Sequence, residues 1–305
     1  MSMASVTAPA AEFRAAGTDL SERRRSGVST GPLIDIMSSG EIGITWGTDG
    51  AATIGALTTI AAIAADARLG AAYQGLAASA QNLATPQVRH LATLGGNLAQ
   101  RSRCWYFRNP HIDCLKKGGS ACPARSGNHL YGVAFDLGDC VAPHPSTMAA
   151  ALLAHDALVV TNRRDRLTIV ELVGDGSNGR ADHALAPGEM ITKILLPAPL
   201  AGERAAYKRA IGRTYAEWPL VEVCARAAIA DGKFQLARLV AGGVAPVPLR
   251  LAACETALLG KSATAATIAE AAAQAASGAK PLPMTAYKLD LLEGLVRDLL
   301  ERLAA

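Results

Sequence analysis

Polar and apolar positions alternate with period two in several short stretches of this chain, and group with helical spacing in others. "EFRAAGTDL" predicts a short strand entering a glycine turn, "GPLIDI" a second strand, and "GITWGTDGAATIGAL" a hairpin turning at Asp49-Gly50. "TTIAAIAADARL" and "AAYQGLAASAQNL" have helical character, with Pro86 expected to close the second. A glycine turn, "TLGGNL", precedes a long loop-like segment. The helix "STMAAALLAHDA" and the strand "LVVTN" follow it. After "EMITKILLPAP" the texture changes. "AAYKRAIGR", "LVEVCARAAIA" and "FQLARLVAGGV" predict strands, the last two joined at Asp231-Gly232-Lys233, and three helices occupy Pro248 to Ala305. Pro, Gly and charge cluster at Pro197–Gly202, which predicts a domain boundary there. Strands and helices intersperse without βαβ alternation and no repeat is present, so the fold class is α+β.

Composition narrows the reading only a little. The chain has 305 residues, half of them hydrophobic, enough for a core in one large or two modest domains. A net charge of +4 without long basic runs argues against a nucleic-acid partner. "MSMASVTAPA" has no basic segment followed by an apolar one, and the arginines of "ERRRSG" run into polar sequence. No secretory or twin-arginine signal is therefore expected. No long apolar run free of charge predicts a membrane span. The expected compartment is the cytosol, where reduced cysteines serve as metal ligands or core residues more often than in disulfides.

Cysteine placement changes the picture more. Four of six lie between Arg103 and Cys140, in "RCWYFRNPHIDCLKKGGSACPARSGNHLYGVAFDLGDC". Cys104, Cys114, Cys122 and Cys140 are separated by nine, seven and seventeen residues. Four thiolates can hold a tetrahedral zinc or an iron–sulfur cluster, yet no short knuckle typical of structural zinc is present. Core cysteines belong in apolar runs, as Cys224 and Cys254 do, whereas these four sit among Arg, Lys, Gly, Pro and Asn. His111, His129 and His144 lie nearby and are expected to be surface-loop residues. Two small-residue turns, "AAGTDL" and "ATLGGNL", would let backbone N–H groups approach an anion, and as a pair could flank a diphosphate. Neither is a Walker loop or a G-x-G-x-x-G.

"AAGTDL", "IGALTTIAAIAAD", "ATPQVRHLATLGGNL", "LAPGEMITKILLP" and "AAYKRAIGR" occur in the order found in the flavoprotein subunits of molybdenum hydroxylases. The resemblance to this family, which includes xanthine dehydrogenase and carbon monoxide dehydrogenase, covers nearly the whole chain. It implies a two-part FAD-binding domain of the PCMH type over residues 1–197. A smaller α+β domain of the CO dehydrogenase flavoprotein type, a three-stranded sheet with helices, would occupy 202–305. The cysteine segment, an insertion at about 101–145, stands where 4-hydroxybenzoyl-CoA reductase and periplasmic aldehyde oxidoreductase carry an extra [4Fe–4S] cluster. Cys104, Cys114, Cys122 and Cys140 are thereby implied as its ligands.

Carried over residue by residue, the resemblance places Arg14, Ala15, Ala16, Gly17, Thr18, Asp19 and Leu20 in the first FAD loop. Thr93, Leu94, Gly95, Gly96 and Asn97 form the second. Thr147 occupies the position of a cofactor-binding aspartate, Ile191 that of an apolar contact, and Lys208 that of a basic residue near the flavin. Ala16 replaces a glycine of the family, which requires that it keep a negative φ. The N-terminal strand–helix unit is expected to be shorter than usual. Trp218, in "YAEWPLV", is expected to be a core residue. The implied function is electron transfer through FAD within a heterotrimer, or a dimer of heterotrimers, with a large molybdenum-cofactor subunit and a small [2Fe–2S] subunit. A partner's export signal would make the complex periplasmic. The alternative is a zinc-stabilised binding or assembly module without redox chemistry.

Overall fold

The computed structural model describes residues 11–212 and 217–305; "MSMASVTAPA", read for a secretory signal, lies outside them. Strand β1 (Glu12–Arg14) pairs in parallel with β2 (Leu33–Asp35), and helix α1 (Leu20–Arg25) connects them. A five-stranded antiparallel sheet follows, in the order β3-β4-β7-β5-β6, from β3 (Ile44–Trp46), β4 (Ala52–Gly55), β5 (Leu158–Thr161), β6 (Leu167–Thr168) and β7 (Ile191–Leu196). Between β4 and β5 run α2 (Ile60–Ala65), α3 (Ala67–Ala72), α4 (Gln74–Asn82), α5 (Pro86–Leu91), α6 (Leu94–Leu98), α7 (Trp105–Arg108) and α8 (Thr147–Ala154). Helix α9 (Ile169–Val173) follows β6.

Pro86 opens a helix rather than only closing one. It stands in the first turn of α5, where its missing N–H costs nothing, and Thr85 caps the turn by accepting the Val88 N–H. The "TLGGNL" stretch likewise is the start of α6 and not a free turn: Thr93 caps it by accepting the Gly96 N–H at 3.2 Å.

The C-terminal part is an antiparallel sheet of four strands in the order β11-β10-β9-β8, built from β8 (Glu203–Ala210), β9 (Val221–Ala230), β10 (Lys233–Gly242) and β11 (Leu249–Arg250). Periodicity reveals three of these; β11 has only two residues and is too short to carry a period. Asp231 and Gly232, both at positive φ, make the β9–β10 turn. Helices α10 (Ala252–Leu258), α11 (Ala265–Ala273) and α12 (Tyr287–Ala304) cover one face, where Val223, Ala225, Leu239, Leu292, Val296 and Leu299 are buried together. Tyr207, Cys224 and Val240, on the other face, belong to the core of the N-terminal part. Alternation along β8 and β9 thus serves two cores at once. A Cβ added to Gly75 on α4 would lie 2.8 Å from Cys224 Sγ, which measures how closely the two parts approach. Cys224 and Cys254 are buried, uncrosslinked thiols, as their apolar runs predict. Among the described residues no helix is long and apolar enough to cross a membrane.

Candidate cofactor site

The first loop leaves β1 and turns through Gly17, whose φ of +75° is a left-handed conformation that side chains rarely adopt. Ala16 is not among the residues with positive φ, so its methyl is accommodated as the sequence requires. Leu20 is buried beneath the loop as the first residue of α1. Asp19 occupies the N-cap position of α1 but makes no capping bond. Its carboxylate instead meets Arg23 Nε at 3.0 Å, Arg103 Nη2 at 3.0 Å and Arg108 Nη2 at 2.7 Å, and accepts the Arg101 backbone N–H at 3.3 Å. Burial alone would raise its pKa. The guanidiniums of Arg103, Arg108 and Arg23 outweigh that and hold the carboxyl below its ordinary range.

The second loop is packed against β4. Leu94 and Gly95 are buried; the Gly95 N–H donates to Ala56 O at 2.8 Å, and a Cβ there would meet the Ala56 Cβ at 2.9 Å. Gly96 is exposed, and its N–H is held by the Thr93 cap. Asn97 is buried, and its side-chain oxygen accepts the Ser146 hydroxyl at 2.7 Å. A hydrogen-bonded chain joins the two loops. Gln100 Nε2 donates to Asn97 O at 2.9 Å, Arg103 Nη2 donates to Gln100 Oε1 at 3.0 Å, and the same guanidinium nitrogen reaches Asp19. Residues nearly eighty positions apart therefore share one network.

The other candidates are distributed unevenly. Thr147 is buried in the first turn of α8 and donates to Glu222 Oε2 at 2.9 Å, an oxygen that also accepts the Tyr207 hydroxyl at 2.6 Å. Glu222 is buried, which raises its pKa against these two donors. Sequence reasoning missed it; the glutamate interrupting the apolar run "PLVEVCARAAIA" was the available signal. Ile191 is part of the N-terminal core at the start of β7. Lys208 is not brought to the loops: it lies on the α12 side of β8, where its ammonium meets Asp298 Oδ2 at 2.6 Å.

All four cysteines of the insertion stay close enough to influence one another. The Cys122 and Cys140 side chains face one another, and that contact lowers the Cys122 thiol and raises that of Cys140. Burial raises the Cys104 thiol, which also feels Cys122 and Cys114. Backbone amides face the sulfurs: those of Phe107 and Tyr106 at Cys104, of Val141, Ala124 and Arg125 at Cys122, and of Ala142 at Cys140. Among the described residues no three Cys, His, Asp or Glu side chains converge on a single-ion site. A nearby cation ties down each cysteine-bearing stretch. Lys116 reaches Asp182 Oδ1 at 2.8 Å, and Arg125 forks onto Asp136 at 2.9 and 2.7 Å while reaching Asp139 O beside Cys140.

A cavity of about 570 Å³ opens between the insertion, the approach to α8 and the edge of the C-terminal sheet. Arg103, Cys104, His144, Trp218, Glu222 and Lys288 are among its walls. Trp218 is exposed at its rim, with the Arg103 guanidinium 4.6 Å from the ring centroid, and is not the core residue expected. Trp105 and Tyr131 also stand exposed on the wall, their centroids 5.7 Å apart. His129 and His144 are buried rather than at the surface, because the insertion folds back against the C-terminal part: the Met284 N–H reaches His129 Nε2 at 3.4 Å. His111 remains exposed. Lys288 is buried with its ammonium on the carbonyls of Gly243 at 2.6 Å and Tyr131 at 3.3 Å, and burial brings it down to about 7.

Two glycine-bearing loops joined by one hydrogen-bonded chain precede a sheet-and-helix domain, and both parts match families of FAD-binding oxidoreductase subunits. Residues 2–199 match the family described as FAD binding domain in molybdopterin dehydrogenase, and residues 205–303 match CO dehydrogenase flavoprotein C-terminal domain. The chain belongs to this family of FAD-binding subunits. It is 34% identical over 258 residues, 82% of this chain and 80% of the relative, to the aldehyde oxidoreductase FAD-binding subunit PaoB of Escherichia coli strain K12. A chain of Cu,Mo-CO dehydrogenase in its cyanide-inactivated form shares the fold with a TM-score of 0.74 at 19% identity, covering 96% of this chain and 90% of that one. Quinoline 2-oxidoreductase from Pseudomonas putida 86 does so with 0.73 at 18% identity, covering 96% and 89%.

Proposed function

We propose that this chain is the electron-transferring flavoprotein of a heteromeric molybdenum hydroxylase acting on an aldehyde or an N-heterocyclic or aromatic substrate. The observation that carries the reading is the joining of the two small-residue loops by the Asn97–Gln100–Arg103–Asp19 chain. The residues fit a diphosphate. Gly17 supplies the left-handed turn, exposed Gly96 has no side chain to keep an anion from the loop, and Gly95 fills a place that a Cβ would crowd. Thr93 and Asn97 hold the second loop in shape through the cap and the Ser146 bond. The aromatic-rimmed cavity offers room for a flat ring system, and its Glu222 wall connects through Thr147 to the start of α8, beside the Ser146 that holds Asn97. When bound, FAD supplies both one- and two-electron redox chemistry. This chain's residues hold that group and place it.

Cys104, Cys114, Cys122 and Cys140 would hold a [4Fe–4S] cluster. Four thiols with backbone amides aimed at three of the sulfurs suit thiolate ligation, since N–H donors stabilise the charged form. A large molybdenum-cofactor subunit and a small [2Fe–2S] subunit would complete the assembly, as a heterotrimer or a dimer of heterotrimers, in the cytoplasm or carried by a partner to the periplasm. The visible spectrum of the purified protein, with iron and acid-labile sulfide assays, tests the reading. Flavin bands and about four irons per chain are expected; a colourless protein with stoichiometric zinc would replace it with a non-redox, zinc-stabilised module.

A further inference from the structure

The arginines around Asp19 come from two places in the chain. Arg23 belongs to the loop's own helix, whereas Arg101, Arg103 and Arg108 lie at the entrance of the cysteine insertion, 82 to 89 residues further on. Arg108 is the most connected of them. Its Nη2 donates to Asp19 Oδ1 at 2.7 Å and to Arg101 O at 2.9 Å, its Nε donates to Ser102 O at 2.7 Å, and its Nη1 meets Glu22 Oε2. Its side chain is only 9% exposed. It is also the last residue of α7, the helix for which Cys104 is the N-cap residue, and its backbone N–H returns to Cys104 O at 2.9 Å. Asp19, for its part, stands where a carboxylate ordinarily caps a helix and does not do so. Its carboxylate instead bridges its own helix, through Arg23, and the insertion, through Arg103 and Arg108.

We propose that Arg108 is a positioning residue for the first FAD loop, acting through Asp19, so that the cysteine insertion sets the shape in which that loop receives the cofactor. This rests on the assignment of residues 14–20 to FAD. A guanidinium fork can bond a carboxylate and two carbonyls at once in a fixed plane, which a lysine cannot reproduce. The insertion is thus part of the FAD site although none of its arginines need touch FAD.

A double-mutant cycle on FAD affinity tests the proposal. Deflavinated full-length protein, with its metal content intact, is titrated with FAD and the binding followed by quenching of flavin fluorescence. Arg108→Gln and Asp19→Asn should each raise Kd about tenfold or more, and the double variant should bind no worse than the weaker single one. Arg108→Lys, which keeps charge and stem packing but not the fork, should fall between wild type and Arg108→Gln. It alone decides the case if Arg108→Gln does not fold. Fold-changes that multiply in the double variant would overturn the coupling, as would an unchanged Kd in Arg108→Gln or, where that variant fails to fold, in Arg108→Lys. Wild-type protein that binds no FAD would defeat the cofactor assignment and the proposal with it; a wild type that binds while the variants match it defeats the proposal alone.

Discussion

Gly95 and Gly96 are adjacent in the second loop yet should fail in opposite ways when given a methyl group. At Gly95 the added Cβ would lie 2.9 Å from the Ala56 Cβ and 3.2 Å from Ala56 O, just past the end of β4. Overpacking of this kind costs about 1–3 kcal/mol. Stretching the Gly95–Ala56 hydrogen bond adds about 1 kcal/mol, and the helical preference of Ala over Gly returns up to about 1 kcal/mol. The net loss of about 1–4 kcal/mol corresponds to a Tm lower by about 2 to 10 °C. At Gly96 the Cβ meets only Thr93 Oγ1, at 2.9 Å, and that side chain can rotate away. The lost cap costs about 1 kcal/mol, and the helix preference offsets it. Gly96→Ala should therefore leave the Tm of the FAD-free protein close to wild type. Its methyl would nevertheless stand between the backbone and a diphosphate. Losing one charge-assisted bond of about 1.5–3 kcal/mol weakens FAD binding about ten- to a hundred-fold. Thermal unfolding of the FAD-free proteins and fluorescence titration with FAD separate the two effects. Wild-type Tm in Gly95→Ala would refute the packing argument, and wild-type affinity in Gly96→Ala the placement of the diphosphate.

Serine at Cys104, Cys114, Cys122 or Cys140 should each strip most of the iron from the protein, because a hydroxyl is a harder and far less acidic donor. Cys224→Ser and Cys254→Ser should keep it. Iron analysis of the six variants decides, and equal iron in both groups would rule the assignment out. Because Glu222 has its folded pKa raised above the unfolded value of 4.5, the native state holds the extra proton as pH rises from there. Its stabilising contribution is thus complete below that value and is lost through the raised folded pKa. Tm measured against pH should fall more steeply over this window in wild type than in Glu222→Gln; parallel curves would contradict it. The protein should also co-purify from its source cell with one much larger and one smaller subunit, and isolation as a monomer with full substrate turnover would exclude that assembly.

Strand positions were legible wherever alternation ran for several residues, which is why β8, β9 and β10 could be placed from "AAYKRAIGR", "LVEVCARAAIA" and "FQLARLVAGGV". β11 escaped because two residues carry no period. The two loops were visible through glycine, alanine and threonine, whose small size is itself the signal. What holds those loops was not visible. Asp19 is read from the sequence only as part of the first loop, and the return of the chain after eighty residues brings Arg103 and Arg108 to it. Lys208 looked available because exposure cannot be read from one basic residue in a strand; Asp298, ninety residues later, takes it. His129, His144 and Trp218 were misjudged for a shared reason. Whether a loop residue is buried depends on what folds over it, and the packing of the insertion on the C-terminal part leaves no local trace.

Severing the chain at residues 197–202 would strand Tyr207, Glu222, Cys224 and Arg226 on a bare sheet face. Arg226 would lose Asp156 at 2.9 Å, though not Glu203 at 2.7 Å, and Glu222 would lose Thr147. A recombined gene that joined this N-terminal half to a foreign C-terminal one would have to match that face residue for residue, down to the gap that Gly75 leaves for Cys224. The two halves can therefore be told apart in sequence, but neither completes its own buried surface alone.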